Sequence, residues 1–298
     1  MKNRSKKIYS TVKKARHPAE IPVTVIAAVI TVAFYLLVTY ALVIGANDDA
    51  VIGRIMNFLG ARARVINYCI RIGGPAIFVI FLILLGRLCL ADVSYVGKLA
   101  SSCPKLENTK YEEIKALYAD VIKDLEIEKP PAVYIGEVDD PSYLGITVCS
   151  NKALCLNPDD IKDALKDGDL GNLKDTIIRK LAVIYLGHYD IPVVLFTFVA
   201  RLLPIFHSMC ERVLCYSVDK FTTEVSGKDE AIRCLFCSRF NAEDYPEDAD
   251  GKEIVLKAVK ALTSYEKSGL GYNNFTSSEP PVAYRLHAMI TGKPGKVF

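Results

Sequence analysis

The sequence predicts an α+β fold: two N-terminal transmembrane helices, then a mostly helical domain that includes a small β-sheet. Three observations lead there. The 298-residue chain is 51% apolar, with a mean hydropathy of +0.23, which points to membrane contact rather than a purely soluble protein. Its charge-free apolar runs fall near the N-terminus, and beyond them helical periodicities enclose three short strand-like runs.

Pro22 to Ile44 carry no charge and are nearly all Val, Ile, Ala, Leu, Phe, Tyr and Thr. About 23 residues at roughly 1.5 Å each cross a hydrocarbon core of roughly 30 Å. The run is too long for a signal-peptide core and no small-residue cleavage site follows it, so it predicts a retained anchor. A second run, Ile72 to Ala91, is interrupted near its end by Arg87, whose long side chain can snorkel to the headgroups. Residues 1–21 are a basic N-terminus bearing Lys2, Arg4, Lys6, Lys7, Lys13, Lys14 and Arg16, and this places them in the cytoplasm. Two spans, 22–91 with their connecting loop, return residues 92–298 to the same side. The expected location is therefore the cytoplasmic (plasma) membrane, with the N-terminus and main domain in the cytoplasm. Nine irregularly spaced cysteines suit that reducing compartment. A net charge of +3 without a basic stripe interleaved with aromatics gives nucleic-acid binding no support.

Within the domain, Thr109 to Ile127 sets Tyr111, Ile114, Leu117, Tyr118, Val121, Ile122 and Leu125 at helical spacing. Pro130 and Pro131 stop that helix; Ala132 to Val138 reads as a strand, followed by two short strands around Ser150 and Asn151. Asn157-Pro158-Asp159 has the chemistry of a helix start, and Asp169 to Tyr189 predicts a long buried helix with one histidine, His188. Residues 191–206 are apolar apart from Arg201 and too short for a third span, so they predict a buried or membrane-associated segment. Cys210 to Val225, Asp229 to Phe240, Lys252 to Glu266 and Tyr284 to Ile290 read as further helices.

The order of these elements, with Gly187-His188, the segment "CYSVDKFTTEVSGKDEAIRCL" and the late "EPPVAYRL", resembles the membrane-integrated zinc metallopeptidases of the HtpX and CAAX prenyl endopeptidase type. The resemblance covers roughly residues 20 to 290 and implies a metallopeptidase-like (gluzincin-type) domain. In that family a helical H-E-x-x-H motif puts two zinc-binding histidines on one face, with a glutamate that activates water beside the metal. Laid on that motif, His188 takes the second histidine position, Ile184 the first, and Tyr185 that of the catalytic glutamate. Isoleucine cannot bind zinc, and a tyrosine with an ordinary pKa near 10 is a poor base at neutral pH. Cys215 falls where the family has its third, glutamate ligand, and Asp219 where an aspartate accepts from a metal-bound histidine. Glu279 replaces the histidine of the late His-Pro-Pro motif, where a carboxylate repels a developing oxyanion, and Arg285 matches the family arginine.

These departures predict no bound cofactor and an inactive relative: a pseudopeptidase acting as a binding or regulatory module at the cytoplasmic membrane face, with a role in quality control by analogy. Its expected partners are the membrane and a peptide or membrane-protein segment added to an edge strand near Leu144 to Ser150. The alternative is an active zinc endopeptidase with a rearranged site of His188, Cys215 and Glu211 or Glu279, since thiolate and imidazole both bind zinc. A third reading is a purely structural protein whose cleft is filled. His188 itself fits either a hydrogen-bonded core residue beside Asp219 or a ligand. The Cys234-x-x-Cys237 pair lies in a helical pattern with no second pair, which predicts buried thiols.

Overall fold

The structure, a computed structural model, describes residues 6–43, 79, 83, 101–136, 145–148, 151–188, 190–237, 279–295 and 297. The first described element is α1 (Lys6–Ala15), a helix within the basic N-terminal stretch. Ile8, Val12 and Ala15 recur at intervals of four and three and are buried, while Lys7, Lys13 and Lys14 point outward. A stripe at that spacing makes one apolar face. It packs into the main core against α7 (Pro204–Ser226) and α5 (Gly171–Leu186), so these residues belong to the domain.

Next comes α2 (Glu20–Val43), whose 24 residues extend about 36 Å. It is long and apolar enough to cross a membrane. Glu20, Val23, Ala27 and Thr31 form its buried stripe, whereas Ile21, Val25, Ile26, Val29, Leu36 and Leu37 are exposed. The second predicted span lies outside the described residues except for Val79 and Ile83, both helical and exposed.

A single turn at Leu106–Asn108 precedes α3 (Glu112–Asp124), which buries Ile114 and Val121. The sheet has three strands in the order β1 (Ala132–Ile135), β3 (Asn151–Leu156), β2 (Gly145–Val148). β1 and β3 are parallel, with Ala132 opposite Ala153; β2 and β3 are antiparallel, with Val148 opposite Asn151. The outer edge of β1 is covered by the preceding chain, since the Ile135 amide donates to the Pro104 carbonyl at 3.0 Å and Lys105 bridges Tyr134. Among the described residues β2 is the other edge strand, within the stretch predicted to be an edge.

α4 (Pro158–Asp167) starts as its sequence predicts, with Asn157 Oδ1 accepting from the Asp159 amide at 3.0 Å. Behind the sheet runs α5, in contact with β2 and β3. Ile177, Ile178, Leu181, Ala182, Val183, Ile184 and Leu186 are all almost fully buried, which leaves the last turns of this helix, from Leu181 on, apolar nearly all round. Such a helix is stable only at the centre of a fold. It ends at Gly187, whose φ of +74° is the left-handed conformation that favours glycine.

The apolar segment after it is α6 (Ile191–Arg201), packed against α2. α7 begins at Pro204, six residues before the predicted Cys210, because a proline at the first turn has no amide to leave unpaired. α8 (Lys228–Cys237) and α9 (Val282–Thr291) close a smaller core through Ala231, Ile232, Leu235, Leu286 and Met289. The predicted helix at Lys252 to Glu266 lies outside the described residues.

Candidate functional site

α7 carries the polar centre of the molecule, because Ser217 and Asp219, two residues apart and so on different faces of the helix, are both buried. Each belongs to a separate cluster.

Asp219 is only 2% exposed and is held by two guanidinium groups. Arg285 of α9 donates from Nε to Oδ2 at 2.8 Å and from Nη2 to Oδ1 at 2.7 Å, the paired geometry suited to a carboxylate. Arg179 of α5 adds Nη1 to Oδ1 at 2.5 Å and also donates from Nε to Asp175 Oδ2 at 2.5 Å. Glu279 extends the chain, accepting from Arg285 Nη1 at 2.9 Å. Burial alone would raise the Asp219 carboxyl; the guanidinium groups overcome it and hold it below its ordinary value. At Asp175 burial wins, so that carboxyl is pushed up, and its Oδ1 makes no hydrogen bond. The cluster ties α5, α7 and α9 together.

The second cluster sits where α2 enters the domain. The Glu20 carboxylate is paired with the Arg16 guanidinium one turn earlier, and Ser217 Oγ donates to its Oε2 at 3.4 Å. Arg16 Nη2 also donates at 3.1 Å to the carbonyl of Leu186, one of the free carbonyls at the end of α5. The His17 amide donates to Ser217 Oγ at 3.0 Å. His17 Nδ1 accepts from the Ala19 amide at 3.1 Å, so the ring proton lies on Nε2, which donates to the Gly295 carbonyl at 3.0 Å. Its ring stacks on Tyr216 with centroids 5.6 Å apart. Burial lowers the His17 pKa, although the Gly295 contact opposes the shift.

His188 belongs to this second cluster, and the expected His188–Asp219 pair does not form. His188 Nε2 lies 3.3 Å from Glu20 Oε1, close enough for an ion pair but too poorly aligned for a hydrogen bond. Two features exclude the predicted pairing. Both Asp219 oxygens are taken by arginines, and the left-handed turn at Gly187 takes His188 off the helical path, toward the foot of α2.

Ile184 is fully buried and Tyr185 is 5% exposed, both within the main core. Cys215 is buried on α7. Glu211 lies 3.7 Å from Arg201, and Glu279 is bound to Arg285. These residues do not fit the zinc set of the resembled family: one ligand position has no donor atom, and the aspartate meant to support a histidine is committed to two cations. Among the described residues, no group of three or more His, Cys, Asp or Glu could hold a metal ion. Cys234 and Cys237 sit on α8 with thiols pushed up by burial, and Cys234 lies against Glu230 at 3.4 Å.

Four functional partners escaped the sequence reading: Glu20, Arg16, Asp175 and Arg179. A signal existed, since each pair is four residues apart and one carboxylate opens a long apolar run while the other precedes one. Comparison of the chain with protein-family models, with curated proteins and with solved structures gives no match.

Proposed function

We propose that this chain is a membrane-anchored, metallopeptidase-like protein without catalytic activity, acting as a binding or regulatory module at the cytoplasmic membrane face. One observation carries the reading. On α5, the positions that would hold the first metal ligand and the water-activating group are occupied by two core side chains, Ile184 and Tyr185. A side chain packed on all sides in an apolar core neither binds a hydrated cation nor reaches a water. The Asp219 cluster supports the same view, because two guanidinium groups supply there the positive charge that a metal would otherwise bring to a carboxylate.

The strand order supports a partner at the sheet edge. β2 pairs with β3 on one side and lies at the sheet edge, in front of α5. An extended peptide can add to such an edge by main-chain hydrogen bonds without any metal. The partner class is therefore an extended segment of a membrane or membrane-proximal protein, consistent with a part in quality control.

The test is metal analysis of detergent-purified full-length protein coupled to an unbiased peptide-cleavage assay. Zinc well below one per chain, and no cleavage above background, is the expected result. Stoichiometric zinc that disappears in both His188→Ala and Cys215→Ala, with cleavage lost in parallel, would establish an active enzyme instead.

A further inference from the structure

Large apolar side chains are exposed in only a few places among the described residues. Apart from Tyr9, Val79 and Ile83, every one lies either on α2 or between Phe196 and Ile205. The second group comprises Phe196, Leu202, Leu203 and Ile205, each roughly half exposed, at the end of α6 and the start of α7. A soluble surface does not gather such residues beside a bilayer-length helix without a partner for them.

α6 is fixed to α2 within the length of the span, not at its foot. The Ala200 amide donates to Thr31 Oγ1 at 3.3 Å, and Tyr35 Oη donates to the Leu195 carbonyl at 2.9 Å. Ala27, Thr31 and Ala200 are fully buried, so small side chains let the two backbones approach, as they do between helices in lipid. Thr31 lies eleven residues beyond Glu20, about 16 Å along α2 and about half of a bilayer core. α6 itself is 11 residues, about 16 Å, and cannot cross.

Hydrocarbon tolerates a chain reversal only where its backbone groups are satisfied internally. Much of the α6–α7 turn meets that condition, with the Ile205 and Phe206 amides in the first turn of α7 left over. The Leu202 amide donates to Phe198 and Val199, Leu203 to Ala200 and His207 to Leu203, while Pro204 has no amide to satisfy. Thr197 and Ser208 return their hydroxyls to carbonyls one turn earlier, and Arg201 is faced by Glu211 at 3.7 Å.

We infer that α6 and the start of α7 form a hairpin that enters the acyl-chain layer beside α2, with α6 running from Leu195, beside Tyr35, back past Thr31 to a tip at Leu202 to Ile205 on the domain side of that level. The partner of this surface is lipid hydrocarbon. The inference rests on α2 crossing the bilayer, as the proposed function does, and the test separates the two.

The chain contains no tryptophan, so one introduced tryptophan is a unique fluorophore. Leu203→Trp and Phe196→Trp report on the hairpin, Leu36→Trp on α2, and Lys162→Trp on the exposed face of α4. Each full-length variant is reconstituted into phosphatidylcholine vesicles with or without bromine on the acyl chains, and is titrated separately with aqueous iodide. The hairpin probes and Leu36→Trp are expected to lose most of their emission to bromine and little to iodide, with Lys162→Trp showing the reverse. Bromine quenching at Leu36→Trp with iodide quenching at both hairpin probes would refute the hairpin and spare the span. Hairpin probes quenched by neither agent would also refute it, since the tip would then be covered by protein, the 72–91 run or a second copy. Loss of bromine quenching at Leu36→Trp would remove the span itself.

Discussion

Asp219 is the residue whose removal should cost most. Arg179 and Arg285 are both nearly buried, and without the carboxylate each would keep a charge with too little to oppose it. Asp219→Ala is expected to destabilise the protein by about 3–5 kcal/mol, the range for breaking a buried pair from one side. Denaturant unfolding of the detergent-solubilised protein would measure it. Arg285→Lys keeps the charge but not the two-pronged grip, so a smaller loss is expected. The pH dependence has a definite sign. Because the folded Asp219 carboxyl is lowered, its contribution is complete above the unfolded value near 3.9 and fades as pH falls below that toward the folded value. His17 works in the same direction through a different charge state. Its folded pKa lies below the unfolded value of about 6.5, so the fold disfavours protonation, and stability drops as pH falls from about 6.5 toward the lowered value. A pH series of unfolding midpoints should show this first loss in the wild type and not in His17→Gln.

At the scale of elements, α1 separates two meanings of an N-terminal basic stretch. Ile8→Ala is expected to cost about 2–5 kcal/mol, as for any large-to-small change in a packed core. Exchanging the exposed Lys7, Lys13 and Lys14 for glutamine should leave the unfolding midpoint nearly unchanged. If both sets behaved alike, α1 would not be docked. The helix was missed in the sequence because its lysines dominate the reading, although Ile8, Val12 and Ala15 lie on one face. Elements with a one-sided signal were legible: the long apolar helix α2 from its unbroken apolar run, the strands from β-branched residues between turn signals, and α4 from Asn157-Pro158. The start of α7 was not, since Pro204 reads equally well as a stop and as a first helical residue.

For the whole molecule, the candidate site was half legible. The residues at the motif positions could be read off, and the absence of a ligand at Ile184 followed from chemistry alone. Their partners could not be read, because Arg179 meets Asp219 across 40 positions and Glu20 meets His188 across 168. Periodicity reports which face of a helix is apolar, not which distant charge faces it. The segment after α9 illustrates the same limit. Gly295 lies so close to the Tyr216 ring that an added Cβ would fall inside it, Arg212 Nη1 donates to the Val297 carbonyl at 3.3 Å, and Val297 is buried beside Val23. Gly295→Ala is therefore expected to cost about 1–3 kcal/mol by overpacking. It should also deepen the acid sensitivity conferred by His17, because the Gly295 carbonyl opposes the lowering of that pKa, and the same pH series would reveal it.

The foot of α2 has a consequence for the order of events during synthesis. Glu20 and His17 emerge from the ribosome early, while Ser217, which bonds to both, follows about 200 residues later. At about 5–20 residues per second that interval is roughly 10–40 s. If α2 spans the bilayer, as proposed, it enters before its partners exist, since an apolar helix does not wait in water for so long. The nascent domain then has to fold down onto an anchor already in place, and Arg16 is the only one of Glu20's partners available to hold its charge in the interim.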